Sequence, residues 1–201
     1  VGVSSTQSDQ FIVISAGDHV TSELRVLPSN KPQSAPLLIA ARQTNREYDL
    51  DHCGDYFYLL TNDTHKNFRF VRTPVSTPTP EHWETLIDGS DEHYLTDFVC
   101  FENLLVVEER INGLDQIRLI DLTIDPNAKA AAATHYIEFP EPTYSAYVGT
   151  NMQARCAQLR IGYNSMVTPS TVWDYDLKSR TLVTKKVQTI PSGYDAQQYT
   201  C

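Results

Sequence analysis

The sequence predicts an all-β protein made of repeated four-stranded antiparallel sheets. Short apolar or alternating runs recur along its 201 residues, and eleven Pro and eight Gly provide the turns between them. β-Branched and aromatic residues fill these runs, and no segment keeps a helical period. The runs repeat in rounds of roughly 45 to 50 residues with about four strands each, which is the size of a propeller blade. We therefore expect about four blades of a β-propeller.

The first half of the chain is predicted to hold two blades, over residues 1–40 and 41–90. The first blade begins with a hairpin, because two apolar runs flank a polar turn. Its predicted strands are residues 11–15, 22–27 and 37–40, and those of the second blade are residues 48–52, 56–61 and 67–72. Residues 81–87 follow a Pro-rich connector and are predicted as a short helical turn or a fourth, outer strand.

The second half is predicted to hold two more blades, over residues 91–140 and 141–195. Asn112-Gly113 is a strong hairpin signal between two apolar runs. We expect the last round of strands to begin at residues 135–139. The Ala-rich stretch 128–133 favours a helix but is only one or two turns long, so it is predicted as a surface insertion between blades.

The run Gly162–Asp176 shows the hairpin pattern most clearly. It reads as a strand, a turn punctuated by Thr168-Pro169, and a second strand in which residues alternate. Because proline fixes φ and lacks an N–H donor, Pro169 is expected to stop the first strand.

The composition excludes some classes of function. A formal net charge of −9 argues against sequence-independent nucleic-acid binding, which needs a basic face, but suits cationic partners or substrates. No apolar run is long enough to span a bilayer, so no membrane partner is expected. The four widely spaced cysteines form no Cys-x-x-Cys pair, and we expect buried, reduced thiols in a cytoplasmic protein. The sequence begins without Met and is expected to be a piece of a longer protein.

The residues themselves predict no catalytic, cofactor or metal site. Ser165 lacks the Gly-x-Ser-x-Gly elbow, and the six histidines lack the close spacing of a zinc pair. The ionisable cluster Asp51–Asp55 is predicted as a polar turn. Glu108 and Glu109 are neighbours on a strand, so their carboxylates should point to opposite faces. One is expected to line a channel and the other to be solvated or to pair with Arg118 or Arg110 across the hairpin.

Several stretches resemble the prolyl oligopeptidase family of serine peptidases, and within it the oligopeptidase B (protease II) group. Ser192–Asp195 resembles the Gly-Gly-Tyr-Asp segment that closes the family's propeller, with Ser in place of the first Gly. The pattern in residues 165–176 resembles the last blade of that propeller. The other matching stretches, in family order, are Thr21–Arg25, Glu47–His52, Gly54–Tyr58, Thr61-Asn62 with Lys66–Arg69, and Val106–Arg110 with Gly113-Leu114.

This resemblance implies a two-domain serine peptidase that cleaves short peptides after Lys or Arg. The chain would be the C-terminal half of a seven-bladed N-terminal propeller. An α/β-hydrolase domain with the Ser-Asp-His triad would begin after Cys201, so this part alone should be inactive and none of its residues is assigned to the triad. The propeller would exclude folded proteins and admit short basic peptides.

Two other functions remain open at this point. One is a stand-alone propeller that binds a partner protein, and the other is a relative that keeps the propeller but has lost its triad. Trp173-Asp174 is a single occurrence, whereas protein-binding propellers of the WD type repeat that signature in each blade.

Overall fold

Sixteen strands form four antiparallel sheets in the computed structural model, which describes residues 1–129 and 131–199, without the side chain of Gln197. Blade I contains β1 (Gly2–Ser5), β2 (Phe11–Gly17), β3 (Ser22–Pro28) and β4 (Leu37–Leu38). Blade II contains β5 (Tyr48–Cys53), β6 (Tyr56–Thr61), β7 (Arg69–Pro74) and β8 (Glu84–Ile87).

The second half of the chain repeats the pattern. Blade III contains β9 (His93–Phe101), β10 (Leu104–Ile111), β11 (Leu114–Asp121) and β12 (Thr134–Tyr136). Blade IV contains β13 (Ser145–Val148), β14 (Gln158–Asn164), β15 (Thr171–Asp176) and β16 (Thr181–Val187). In every blade each strand pairs with the next one along the chain. The predicted all-β class and the four-stranded antiparallel blades are confirmed.

Apolar side chains between neighbouring blades form three core clusters. Strands alternate their side chains between two faces, so each sheet offers one apolar face to each neighbour. Val13 and Leu24 of blade I pack with Leu59 of blade II, and Leu60 of blade II packs with Leu105 of blade III. The third cluster joins blades III and IV through Phe101, Leu104, Ile117, Leu159, Ile161, Tyr163 and Trp173.

The prediction for residues 81–87 is confirmed in both its alternatives, since the 3₁₀ turn Pro80–His82 leads into the outer strand β8. Two other local predictions are corrected by the structure. The stretch from residue 134 to 136 does not begin the last blade, because β12 pairs with β11 and completes blade III.

The Ala-rich insertion is the second correction. It joins β11 to β12 inside blade III, so it does not lie between blades. Ala128 and Ala133 are buried, and a 3₁₀ turn covers Ala131–Ala133. Helix propensity indicated a short ordered turn, but it carries no information about which strands the turn connects.

The first strand of each blade lies nearest to a common axis. β9 contacts both β5 and β6 of the preceding blade, and the turns that follow β1, β5 and β9 meet one another and the loop that follows β13. The last strand of blade IV, β16, is exposed along nearly its whole length. Each sheet therefore runs from an inner first strand to an outer fourth strand, as in a propeller.

Candidate functional site

Blades I and II are joined at the ends of their inner strands by the carboxylate of Asp51. Its Oδ1 accepts the backbone N–H of Gln7 and that of His52, both at 2.8 Å. Beside it, the Ser8 hydroxyl and His52 Nδ1 are 2.8 Å apart. Burial raises the pKa of Asp51, and the three backbone donors around its carboxylate oppose that rise. The sequence predicted a polar turn here, and the structure uses it as a joint between blades.

The same carboxylate reaches blade III. Asp51 Oδ2 accepts the backbone N–H of Cys100 at 3.1 Å, and the Cys53 thiol donates to the carbonyl of Phe101 at 2.9 Å. Burial raises the pKa of Cys53 and of Cys156 to about 11 and that of Cys100 well above its usual value. These three cysteines are buried free thiols, while Cys201 lies outside the described residues. A neutral thiol is a poor nucleophile, so these groups serve packing.

Blades III and IV are joined by the turn after β9. The backbone N–H of Glu102 donates to the carbonyl of Ala154 at 2.9 Å. The buried side chain of Asn103 pairs with Cys156 in both directions, donating to its carbonyl at 2.8 Å and accepting its N–H at 2.9 Å. Both of these partners belong to residues 149–157, which we call the blade IV loop.

Gln7 closes this series of contacts. Its side-chain amide Nε2 donates to the carbonyls of Asn151, at 2.8 Å, and Gln153, at 3.0 Å, in the blade IV loop. Hydrogen bonds therefore run from blade I to II, III, IV and back to I. We call this closed set, made by Gln7, Ser8, Asp51–Cys53, Cys100–Asn103 and the blade IV loop, the turn ring. A cavity of about 240 Å³ lies against the turn ring, and residues of all four blades line it, among them Gln10, Cys53 and Ala154.

His52 is the histidine that lies deepest in the turn ring. It is 1% exposed, and its ring meets Phe11 and Phe57 edge-on at 4.7 and 5.5 Å between centroids. Burial lowers the pKa of His52, so its imidazole is neutral at physiological pH. This histidine is a packed core group with a hydrogen-bonded edge.

A second feature is an acidic inner wall formed by Asp49 on β5, Asp97 on β9 and Glu108 on β10. Asp49 and Asp97 point to the open, axial side, while Tyr48 and Leu50 beside Asp49 are buried. The concave wall displaces water and raises the pKa of Asp49, and the charge of Asp97 raises it further. Burial raises the pKa of Glu108 to about 7, with a smaller contribution from Asp97 and Asp115.

Glu109 has the opposite environment from its neighbour Glu108. Its buried carboxylate accepts two hydrogen bonds from Arg118, at 2.6 and 3.0 Å, and lies 2.8 Å from His93 Nδ1. The predicted pairing of one glutamate with an arginine across the hairpin is thus observed for Glu109. Glu108 Oε1 accepts the backbone N–H of Val148 on blade IV.

Ser165 has a structural role. Its Oγ accepts the backbone N–H groups of Val167, at 2.9 Å, and Thr168, at 2.7 Å, and so shapes the turn between β14 and β15. Among residues 1–129 and 131–199, no group of three or more His, Cys, Asp or Glu could hold a metal ion. Across the same residues no helix has the length and apolar character needed to cross a bilayer.

The sequence did not reveal the roles of Gln7 and Asn103. Each lies two residues after the inner strand of its blade, since β1 ends at Ser5 and β9 at Phe101. An amide side chain at this repeated position is the signal that could have identified them. Gln and Asn are ordinary in turns, however, so the position acquires meaning only once the blades are aligned.

A model of the prolyl oligopeptidase N-terminal β-propeller domain matches residues 1–188. Dipeptidyl aminopeptidase BI of Pseudoxanthomonas mexicana is 32% identical over 200 residues, covering 99% of this chain and 26% of the relative. Protease 2 of Moraxella lacunata is 25% identical over 197 residues, covering 98% and 27%.

Solved structures agree with these relatives. Oligopeptidase B from Trypanosoma brucei, in a closed form with covalently bound antipain, superposes with a TM-score of 0.90 at 26% identity. That match covers 100% of this chain and 29% of the solved chain. This chain therefore spans about a quarter of the length of the relatives that it matches.

Proposed function

Because this chain belongs to the prolyl oligopeptidase family, through that family's N-terminal β-propeller domain, we propose that it is part of a serine oligopeptidase that cleaves short peptides after Lys or Arg. The observation that carries the proposal is the family match over residues 1–188. In the proposed enzyme a C-terminal α/β-hydrolase domain beyond Cys201 supplies the Ser-Asp-His triad, and these blades supply no catalytic group. Without that domain the blades are inactive.

The charge of the inner wall supports a preference for basic peptides. Asp49, Asp97 and Glu108 face the axial side or flank it, and the whole chain carries a formal net charge of −9. A concave surface with one sign of charge attracts ligands of the opposite sign. A Lys or Arg side chain passing along this wall would also lower the pKa of these carboxyls and so be held more strongly.

The course of the last residues suggests which end of the blades faces the proposed hydrolase domain. The backbone N–H of Gln188 donates to the carbonyl of Ser170, and the Tyr194 hydroxyl donates to the carbonyl of Val167. Both contacts lie at the end where β14 finishes, which is also the end where the inner strands start. The turn ring lies at the opposite end. In the proposed enzyme the acidic wall is then nearer to the triad, and the turn ring is distal.

The proposed role of the blades is to limit substrate size. Packed sheets around an axial channel admit extended peptides and exclude folded proteins, and motion between domains exposes the site. The proposed enzyme is cytoplasmic and needs no metal or cofactor. A peptidase that releases dipeptides is a second candidate, because a relative that is 32% identical carries the name dipeptidyl aminopeptidase. A propeller that only binds a partner protein is the third.

The test uses the full-length natural protein that contains this sequence. A fluorophosphonate probe should label one serine, and the protein should cleave a short arginyl peptide faster than the matched norleucyl peptide. Product masses separate the candidates, because cleavage after arginine at any position supports the oligopeptidase and strict release of dipeptides supports the second candidate. A protein that takes no label would leave the binding propeller or a relative that keeps the propeller but has lost its triad.

A further inference from the structure

The contact made by Gln7 differs in reach from the other contacts of the turn ring. Asp51, Cys53 and Asn103 join blades that are neighbours, whereas Gln7 joins blade I to blade IV. Its side chain therefore spans the axial side of the described blades. Gln7 Nε2 and the two carbonyls it meets are separated by 144 and 146 residues along the chain.

Both ends of this contact are held in place before they meet. The backbone N–H of Gln7 is fixed by Asp51, so the side chain leaves the turn in one direction. On the other side, the amide of Asn151 donates to the carbonyls of Gly149 and Arg160 and accepts the N–H of Arg160, at 2.8 to 3.1 Å. This arrangement shapes the blade IV loop and aims the carbonyl of Asn151 at Gln7. A preorganised contact of this kind loses little entropy on closing.

We propose that Gln7 is a clasp that keeps the distal mouth of the axial channel closed and thereby sets the size of molecule that can pass there. This inference rests on the proposed function for its consequence, since closing the distal mouth leaves the end with the acidic wall as the route for peptides. The clasp is a specificity-determining contact and takes no part in the chemistry. Its geometry stands on the described residues alone.

The clasp is tested in the full-length protein with Gln7→Ala, with Gln43→Ala as the matched control. Gln43 is exposed on the connector between blades I and II, away from the cavity that contains Cys53, and its side chain makes no hydrogen bond to the described residues. The first readout is the rate at which a small methanethiosulfonate modifies Cys53, read by peptide mass. Cys53 lines the cavity against the turn ring and is 7% exposed. Loss of two hydrogen bonds should raise the open population and this rate about tenfold in Gln7→Ala, and the rate should stay unchanged in Gln43→Ala.

The second readout is substrate size, given as kcat/KM for a 30-residue arginyl peptide divided by that for a short one. This ratio should rise in Gln7→Ala and stay unchanged in Gln43→Ala. Unchanged Cys53 modification in both Gln7→Ala and a second variant, Gln7→Glu, would overturn the clasp. Faster modification with an unchanged size ratio would overturn its role in specificity. If the protein is not a peptidase, the first readout still decides whether the clasp exists, so the two failures are distinguishable.

Gln7→Glu is a second variant in case Gln7→Ala repacks without effect. A carboxylate at this position keeps the size of the side chain but faces two carbonyl oxygens without a proton to donate. In this variant the methanethiosulfonate should modify Cys53 at least as fast as in Gln7→Ala. A rate equal to that of the unmodified protein would contradict the proposal.

Discussion

The two ends of the inner strands differ in how fully their buried carboxylates are hydrogen-bonded. At the turn ring, burial raises the pKa of Asp51, but its carboxylate accepts three backbone N–H groups, and Asn103 and Gln7 also find partners on other blades. On the acidic wall, Asp49 and Glu108 accept one backbone N–H each, from Leu50 and Val148, and burial beside another carboxylate raises the pKa of both. The ring is therefore built to hold the blades together. The acidic wall keeps a negative electrostatic potential that few donors neutralise, and such a surface attracts cationic ligands.

The largest expected effect comes from removing the carboxylate at the centre of the ring. Asp51→Ala leaves three backbone N–H groups without their acceptor and should lower the free energy of local opening by about 3 kcal/mol. Hydrogen–deuterium exchange of the Gln7 and Cys100 amides in the full-length protein measures this quantity. Asp55→Ala removes an exposed carboxylate four residues later and should leave both amides protected. Equal protection in the two variants would show that the ring does not depend on Asp51.

Asn103 tests the ring at the next joint. Asn103→Ala removes both hydrogen bonds to Cys156 from a site that is 8% exposed and should cost about 2 kcal/mol of opening free energy. Gln116→Ala is the control, because its half-buried amide makes one bond, to the hydroxyl of Tyr144. That variant should cost about 0.5 kcal/mol. Exchange of the amides in the blade IV loop gives the first value and exchange of the amides of β11 gives the second. A reversed order would contradict the contrast between the two ends.

The acidic wall is tested by pH through Glu108→Gln. The pKa of Glu108 is about 7 in the fold against 4.5 for an ordinary glutamate, so the unfolded chain releases its proton first as pH rises. The natural protein therefore loses stability between pH 4.5 and 7, whereas the glutamine variant loses none through this group. With allowance for partial exposure, the gap between them should widen by on the order of 1–2 kcal/mol over that range. Exchange of β10 amides measures it, and a gap that is independent of pH would refute the assignment.

The smallest effect is expected beside the inner strand of blade IV, where an exposed side chain can move to make room. A Cβ on Gly162 would lie 2.2 Å from Cζ of Tyr147, but that ring is 53% exposed and can turn away. Gly162→Ala should therefore cost about 0.5–1 kcal/mol, measured as a small fall in the thermal midpoint. A loss of stability as large as that of Asp51→Ala would mean that the Tyr147 side chain is held as rigidly as the turn ring.

The fold could be predicted because its signals are local. Asn112-Gly113 forms its turn with φ of 52° and 81°, as the hairpin signal requires, and each strand pairs with the next in the chain. The pairing of Glu109 followed from the same hairpin geometry, since Arg118 lies on the partner strand two residues from its direct partner. These features depend on residues that are close in sequence.

The turn ring could not be predicted, because its partners are distant in sequence. Asp51 meets Gln7 across 44 residues and Cys100 across 49, and no local pattern encodes such a pairing. The Ala-rich insertion was misplaced for a related reason, since propensity describes a segment and not its neighbours. Sequence alone therefore located the polar turn at Asp51–Asp55 but not its purpose.

The reach of the Gln7 side chain also bears on the order in which the chain acquires its structure. Each sheet is a meander of consecutive strands, so a blade can form as soon as its own residues have left the ribosome. Its contacts with the preceding blade follow in the same order. The bond from Gln7 to residue 153 instead closes a loop of 146 residues and waits for the loop of the last blade. The contact between the first turn and the blade IV loop can therefore form only after about three quarters of these residues have been synthesised.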